Sequence, residues 1–372
     1  MTRTCRTTGS TMHVIGSLHG GGAERLLTNL VTQQRAPQER GWVVCLYPGG
    51  VFRPALEAAG IEVIDLGMER VSDTIVGLFK LAALLRERRP AVVQGWMYGA
   101  NVFASLALGW AGRRDTRLIW GIFCSDVDTS AYPWRSHRFH RSLARLFSGR
   151  VDGIIYNASQ ARDFHHSIGF REPRSLVIPN CLDTSRFSHD PAARQSVRRE
   201  LGIAPDTVLI VIAARVDPMK DWHGVLAAVR DLPGIVTVAI GDGTDRLPPQ
   251  RGLIRLGWRD DVPRVFSGAD IFLLGSAFGE GTSLALAEAM SCGLPAVVTD
   301  VGGNGTLVGS AGIVVPPRGT TALREALLHL AGDRARREEL GRAARASMLC
   351  GHSADEIAEM LWAFAAPGQG AA

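Results

Sequence analysis

The chain has 372 residues, which predicts two or three domains at about 150 residues each. Its composition, 46% hydrophobic and 21% charged, is typical of a globular protein and excludes a disordered or fibrous chain. The longest nearly uncharged stretch, residues 100–112, is shorter than the roughly 20 residues that a membrane-spanning helix needs, so no transmembrane helix is predicted.

The cysteine spacing and the first residues of the chain indicate a cellular compartment. The six cysteines are far apart and include no Cys-x-x-Cys pair, which argues against a zinc site or a disulfide framework and favours a reducing cytosol. The apolar run Met12–Leu18 is interrupted by His13 and ends in glycines, so we interpret it as a buried strand and not as a signal peptide. The expected location is the cytoplasm.

Short runs rich in valine and isoleucine recur, each followed by a segment with helical spacing, which predicts parallel sheets with crossover helices. The predicted strands of the first half are 12–16, 43–47, 61–66, 91–95, 118–122 and 153–157. Those of the second half are 208–214, 235–241, 253–257, 270–274, 295–300 and 312–315. The predicted fold is therefore α/β, with two Rossmann-like, doubly wound domains that face each other across a cleft.

The strand and helix alternation restarts near residue 206, after a predicted hinge at 177–180 and a polar stretch that contains Pro191. We therefore predict a first domain over 1–185 and a second over 186–350. Residues 351–372 are expected to form a terminal helix that packs back on the first domain, with a frayed end. Because ligands of such sheets bind beyond the carboxyl ends of strands, functional residues are sought in the loops there.

The first predicted strand is followed by three glycines, and Gly21 and Gly22 open a helix. Backbone amides at such a turn approach an anion closely, and the helix dipole adds partial positive charge. The Gly-x-Gly-x-x-Gly spacing of a nicotinamide site is absent. A tight turn without a ligand remains an alternative.

Arg215 and Lys220 follow the first strand of the second series. Lysine is rare here, since Lys80 and Lys220 are the only two among 41 basic residues. A planar guanidinium and a point-charge ammonium on one turn suit a diphosphate. The alternative is a solvated surface pair.

Residues 278–290 carry two glutamates around a predicted helix start. Glu288 falls on the apolar face of that helix, where a carboxylate needs hydrogen-bond donors such as sugar hydroxyls. Glu280 precedes the helix, and the amides of residues 281–284 are exposed there. Alternatively, Glu280 is an N-terminal helix charge and Glu288 a satisfied core acid.

Several ordered segments resemble family 4 of the retaining glycosyltransferases, which have the GT-B fold. They are GGGAER, VIPNCLD with Phe187, AARVDPMK, IGDGTD, LGWRDDV, EGTSLALAEAM and GLPAVVTDVGGN. The resemblance spans nearly the whole chain. The first half, including WMYGAN at 96–101, resembles members that build bacterial surface polysaccharides.

The resemblance implies roles for individual positions. Arg215 and Lys220 would grip the donor diphosphate, Glu288 the nucleotide ribose, and Glu280 the hydroxyls of the transferred sugar. The resemblance also places Gly21 and Gly22 at the diphosphate and the loop from Gly257 to Val262 at the nucleobase. The exposed amides at the helix start make Gly281, Thr282, Ser283 and Leu284 further donor-binding candidates.

Two positions depart from the pattern of the family. Many relatives carry a histidine in the loop that here reads Phe123–Asp126, and an acid where Thr306 stands. Asp126 is our candidate for orienting an acceptor hydroxyl, although a loop aspartate often serves as a cap. Asp126 and Asp128 form an Asp-x-Asp pair, but two domain-sized strand series and the Arg/Lys pair argue against a metal site.

Residues 132–150 contain five arginines interleaved with aromatic and aliphatic residues and no acid. Such a helix favours an anionic membrane surface, with nucleic acid or plain solvent as alternatives. No base-stacking module accompanies it, so nucleic acid is not expected. The resemblance favours peripheral contact with the inner membrane, where lipid-linked acceptors reside.

The predicted function is transfer of a hexosyl unit from a nucleoside diphosphate sugar to a hydroxyl of a glycan or lipid-linked acceptor in cell-surface polysaccharide biosynthesis. The sugar nucleotide is a co-substrate, and neither a metal nor another cofactor is expected. Retention of configuration is implied by the resemblance alone. The alternatives are a catalytically silent partner protein and a GT-B-like epimerase or phosphorylase.

Overall fold

A computed structural model describes residues 10–33, 41–126, 128, 130–131 and 134–365. The chain divides into two compact units. Unit 1 comprises the described residues of Met1–Phe123, Pro133–Cys181 and Ala354–Ala372, and unit 2 those of Cys124–Tyr132 and Leu182–Ser353. The chain thus leaves unit 1 at Cys181, whereas the sequence predicted a boundary after residue 185. The described residues of Cys124–Tyr132, which the sequence predicted in the first domain, cluster with unit 2.

Unit 1 is built on one parallel sheet of seven strands in the order β3-β2-β1-β4-β5-β6-β7. The strands are β1 (Thr11–Ile15), β2 (Trp42–Cys45), β3 (Glu62–Asp65), β4 (Val92–Trp96), β5 (Arg117–Ile122), β6 (Gly153–Tyr156) and β7 (Ser175–Val177). Its helices are α1 (Gly22–Gln33), α2 (Arg53–Ala58), α3 (Thr74–Arg88), α4 (Met97–Ala111), α5 (Trp134–Phe147) and α6 (Ser159–Ser167).

Unit 2 contains a parallel sheet of six strands in the order β10-β9-β8-β11-β12-β13. The strands are β8 (Val208–Ala213), β9 (Ile235–Ile240), β10 (Leu253–Gly257), β11 (Ile271–Leu274), β12 (Ala296–Thr299) and β13 (Gly312–Val315). Its helices are α7 (Pro191–Glu200), α8 (Trp222–Ala228), α9 (Val262–Gly268), α10 (Leu284–Ser291), α11 (Asn304–Val308), α12 (Thr320–Gly332) and α13 (Arg334–Met348).

The two doubly wound parallel sheets confirm the predicted fold class. Strands such as β8 read as continuous apolar runs because helices cover both faces of a parallel sheet. The prediction missed β7, which lies at the edge of the first sheet. Its three residues bury little apolar surface, so the sequence carries no strand periodicity there.

Each sheet has one point where the strand order reverses. In unit 1 this lies between β1 and β4, which pair in parallel from Thr11 with Val92 to Val14 with Gly95. In unit 2 it lies between β8 and β11. The loops at the carboxyl ends of these four strands diverge, and the resulting crevice is the usual ligand site of an open α/β sheet.

The last described helix, α14 (Ala354–Ala365), belongs to unit 1. Ile357, Leu361 and Phe364 join its core cluster with Leu26 and Leu30 of α1. Residues 366–372, predicted to be frayed, lie outside the described part of the chain. No helix among the described residues has the length and apolar character to cross a bilayer.

Candidate active site

The crevice of unit 2 contains a buried ion pair between its two diverging loops. Lys220, in the loop after β8, contacts Oε1 of Glu280, in the loop after β11, and the two side chains are only 13% and 8% exposed. The Ser276 hydroxyl donates to the same Glu280 oxygen at 2.5 Å. Residues 60 positions apart are thus joined at the place where the strand order reverses.

Backbone and side-chain hydrogen bonds hold the two loops together. The Ala277 N–H donates to the Met219 carbonyl at 2.8 Å, which joins the loops directly. The Thr299 hydroxyl donates to the Ser276 carbonyl at 2.6 Å and ties both to the end of β12. Asp217 caps the short helical turn that carries Lys220 by accepting from the Met219 N–H at 3.0 Å. These hydrogen bonds therefore fix the positions of the two loops that carry Lys220 and Glu280.

Glu280 keeps one oxygen available. Its Oε1 accepts from both Lys220 and Ser276, while Oε2 accepts no hydrogen bond from any described residue. The Lys220 ammonium compensates the charge of this buried carboxylate. The arrangement thus offers an acceptor for a ligand hydroxyl and a cation that a ligand anion can share.

Helix α10 begins directly after this glutamate. Ser283 is its N-cap, and the serine hydroxyl accepts from the Leu286 N–H at 3.4 Å. The N–H of Ser283 itself donates to Oδ1 of Asn304 at 3.0 Å. The N–H groups of Leu284 and Ala285 then have no acceptor among the described residues, which leaves two donors at the positive end of the helix dipole.

Asn304 is a residue of this site that the sequence prediction missed. It is completely buried, and its Nδ2 has no hydrogen-bond partner in the described part of the chain. Gly302 lies two residues before Asn304 and passes close to the preceding loop, so that an added Cβ would lie 1.9 Å from the Glu280 carbonyl oxygen. The Gly303 N–H also donates to the Gly281 carbonyl at 2.5 Å. The sequence feature that could have indicated Asn304 is the Gly-Gly-Asn run that follows β12.

Arg215 lies on the same loop as Lys220 but is more exposed. Its side chain is 43% exposed and its Nε donates to Asp217 Oδ2 at 3.0 Å. Its carbonyl accepts from the Trp222 indole N–H at 2.9 Å. Both predicted diphosphate-binding cations are therefore paired with carboxylates, Arg215 with Asp217 and Lys220 with Glu280.

Glu288 is buried on α10, on the face predicted from the sequence. Burial and, secondarily, the Glu288 charge raise the pKa of the Cys292 thiol one turn later to about 12. The structure thus brings Lys220, Ser276 and Glu280 into contact and places Glu288 on the helix that starts beside them. Its ribose-binding role stays a prediction.

Gly257 and Val262 bound the loop after β10. The Gly257 N–H donates to the Thr244 hydroxyl at 3.0 Å, and its carbonyl accepts from the Gly241 N–H at 2.8 Å. The Val262 side chain packs in the core of unit 2 with Phe266. The Val262 side chain is thus part of the core of unit 2, and the nucleobase-binding role of this loop stays a prediction.

In unit 1, helix α1 begins at Gly22, and the Gly21 carbonyl accepts from the Arg25 N–H at 3.1 Å. Asp126 is exposed and belongs to the segment that clusters with unit 2. Asp128 accepts from the Ser130 N–H at 2.9 Å. No cluster of three or more metal-ligating side chains occurs among the residues that the structure describes.

The basic segment 132–150 forms α5 over most of its length. Phe139 and Leu146 are exposed apolar side chains on this helix, and the Arg150 guanidinium lies over the Phe147 ring. The side chains of residues 132–137 lie outside the described part. In residues 138–150, exposed apolar and basic side chains thus lie on the same segment.

Comparison with known proteins gives the family. Residues 20–186 match the model of the Glycosyltransferase Family 4, and residues 207–333 match that of the Glycosyl transferases group 1. Only the two ends and the residues between 187 and 206 stay unmatched. The chain belongs to the family 4 and group 1 glycosyltransferases, as its motifs predicted.

Individual relatives agree with this family. The chain is 33% identical over 151 residues to the UDP-Gal:alpha-D-GlcNAc-diphosphoundecaprenol alpha-1,3-galactosyltransferase of Escherichia coli, covering 36% of this chain and 38% of that one. It is 26% identical over 290 residues to the GDP-mannose-dependent monoacylated alpha-(1-6)-phosphatidylinositol monomannoside mannosyltransferase of Corynebacterium glutamicum, covering 72% and 74%. For the first three curated relatives the match spans 36% to 54% of their length.

The fold is that of the GT-B glycosyltransferases. The structure of Anabaena HepE in complex with UDP-glucose superposes with a TM-score of 0.82 at 21% identity, covering 95% of this chain and 100% of that one. At this level of identity the likeness establishes the fold.

Proposed function

We propose that this protein is a retaining glycosyltransferase that moves a hexosyl unit from a nucleoside diphosphate sugar to a hydroxyl of a glycan or lipid-linked acceptor in cell-surface polysaccharide biosynthesis. The observation that carries the proposal is the buried Lys220–Glu280 pair beside the start of α10. It offers a cation, a carboxylate oxygen and two helix N–H groups at the point where an open α/β sheet binds its ligand.

The chemical problem is the departure of a diphosphate from an anomeric carbon that becomes oxocarbenium-like. Negative charge then accumulates on the leaving phosphate, and preorganised positive groups lower the barrier. Lys220, Arg215 and the N–H groups of Leu284 and Ala285 supply them. Glu280 Oε2 accepts from a hydroxyl of the transferred sugar, so the carboxylate orients the sugar while the ammonium stabilises the leaving group.

In this mechanism the leaving phosphate accepts the proton of the attacking acceptor hydroxyl on the same face of the sugar. Configuration is then retained, and neither a protein base nor a metal ion is needed. The names of the relatives support a UDP- or GDP-sugar as the donor and a lipid-linked acceptor. The exposed Phe139 and Leu146 among the arginines of α5 would bring unit 1 to an anionic membrane, on its cytoplasmic face.

The test compares the only two lysines of the chain. Lys220→Ala should lower kcat/KM for sugar transfer by about 100-fold or more and weaken UDP binding, because the charge that faces the leaving phosphate is lost. Lys80 donates to the Leu66 carbonyl in unit 1, so Lys80→Ala is the matched control and should keep transfer. Transfer is measured with UDP- and GDP-hexoses and a soluble farnesyl analogue of N-acetylglucosamine-diphosphoundecaprenol.

Removing Lys220 alone leaves the Glu280 charge buried, which can destabilise a protein by about 3 kcal/mol or more. The double variant Lys220→Met with Glu280→Gln removes both charges and keeps an acceptor for Ser276. It should fold, judged by circular dichroism and thermal unfolding, and still lack transfer. Normal turnover in either folded variant would contradict the assignment of the site.

A further inference from the structure

Three polar side chains lie in the apolar core of unit 1. Thr11 and His13 are on β1 and Gln94 is on β4, and all three are buried, with His13 and Gln94 each 5% exposed. His13 and Gln94 are direct neighbours in the strand pairing. The same region of the core contains Leu30 of α1 and Leu361 of α14, which pack against apolar side chains of the sheet. Buried polar side chains are as a rule hydrogen-bonded, so these three require partners.

A cavity of about 30 Å³ lies where these side chains meet α14. Thr11, His13 and Gln94 line it on the side of the sheet, and Leu361 and Trp362 line it on the side of the helix. The other lining side chains are apolar, and none of the described residues around the cavity is charged. Since roughly 10–15 Å³ is enough for one water molecule, the cavity has room for about two.

The hydrogen bonds of His13 determine which of its ring nitrogens carries a proton. An indole N–H can only donate, so His13 Nδ1 accepts from the Trp96 indole at 3.3 Å. Burial lowers the pKa of His13 to about 3, so the ring is neutral near pH 7 and its one proton is on Nε2. This Nε2–H group has no acceptor among the residues that the structure describes. The histidine therefore provides a donor beside the cavity.

Gln94 and Thr11 add further donors and acceptors to the lining of the cavity. The Gln94 amide can donate two hydrogen bonds and accept two, and a threonine hydroxyl can both donate and accept. Neither side chain makes a hydrogen bond within the described ranges of the chain. Unpaired polar groups in a core cost their full desolvation free energy. A ligand that pairs them must both donate and accept, and it must be neutral, because no charged side chain is there to compensate an ion.

We propose that this cavity is a binding site for about two water molecules, which accept from His13 Nε2 and bridge it to the Gln94 amide and the Thr11 hydroxyl. Water meets all three requirements, since it is small, neutral and both a donor and an acceptor. An apolar group in the cavity would leave the three polar side chains unpaired. The waters join the two central strands of unit 1 beneath α14. The site is independent of the donor contacts in unit 2 and of the proposed function.

The experiment compares the full-length wild type with the double variant Thr11→Val and Gln94→Met, which nearly keeps the side-chain sizes and removes two polar groups from the cavity. Gln160→Met, on the exposed side of α6, is the matched control. Crystal structures locate the waters, and oxygen-17 relaxation dispersion counts long-lived internal waters in solution. We expect about two waters at roughly 2.7–3.2 Å from His13 Nε2 and Gln94 in the wild type and the control. The double variant should hold at least one fewer by both measurements.

Thermal unfolding gives a second, independent readout. If the polar groups bind water, their replacement should leave the unfolding temperature unchanged or lower it. If they are unpaired in a dry cavity, apolar replacements should raise it. A rise in the double variant therefore overturns the inference, as does a wild-type cavity without water or an equal water count in the wild type and the double variant. Should the double variant not fold, Gln94→Met alone replaces it in all three measurements, with the same expected and contrary results.

Discussion

Two buried histidines of unit 1 show how strongly an environment changes a single residue. Burial lowers the pKa of His13 to about 3, and burial likewise lowers the pKa of His165 to about 4. His13 accepts from the Trp96 indole, and His165 contacts the Tyr98 hydroxyl. Both histidines are therefore neutral in the folded protein throughout the physiological pH range.

This neutrality predicts that unit 1 loses stability in weak acid. Below the ordinary histidine pKa of 6.5 the unfolded chain binds protons that the folded chain does not, so stability falls as the pH falls towards 4. The loss is about 1.4 kcal/mol per histidine between pH 7.5 and 5.5. Urea unfolding at the two pH values measures it. His13→Gln should halve the difference, and an unchanged difference would refute the assignment to His13.

At the scale of elements, the start of α10 depends on a close crossing of two loops. Gly302 has φ of 58° and passes against the Glu280 and Gly281 carbonyls. This approach allows Asn304 to reach the Ser283 N–H. The polar groups around the helix start are thus held by backbone contacts between the loops after β11 and β12.

Gly302→Ala should therefore destabilise unit 2 by about 2 kcal/mol or more and weaken UDP binding, since the new methyl group would collide with backbone atoms. Gly202→Ala is the matched control. Gly202 has φ of 65° but no atom within 4 Å of an added Cβ, so only the conformational penalty of about 1 kcal/mol applies. Chemical unfolding and UDP titration measure both. Equal effects of the two variants would contradict the collision.

At the scale of the molecule, the chain enters unit 2 and then returns to unit 1 with α14. Phe364 packs in the core of unit 1, where the Gly153 backbone leaves room for its ring. The Arg174 guanidinium lies 4.7 Å from the centre of the same ring. The stability of unit 1 thus depends on residues that follow unit 2 in the chain.

Phe364→Ala is predicted to destabilise unit 1 by about 3 kcal/mol or more, because a buried aromatic ring is replaced by a cavity. Unit 2 should be unaffected. Hydrogen exchange followed by mass spectrometry separates the two units. Glu359→Ala, on the exposed side of α14, is the control and should change neither. Equal loss of protection in both units would show that α14 does not act through unit 1.

Local sequence patterns were enough to predict most of the secondary structure and the place of the candidate site. Apolar runs of strand length followed by helical spacing indicated every strand of the described residues except β7, whose three residues carry no such pattern. Lysine scarcity and the position of Lys220 and Glu280 after strands indicated the candidate site, because the carboxyl ends of parallel strands share one edge of a sheet.

The contacts between residues far apart in the chain became visible in the folded structure alone. It paired Lys220 with Glu280, brought Asn304 to Ser283 and returned α14 to unit 1. It also placed three polar side chains of β1 and β4 around one cavity beneath α14. These features depend on strand order and on close backbone approach between segments far apart in the chain. Periodicity does not encode them, because it reports the burial of each residue and not the identity of its neighbour.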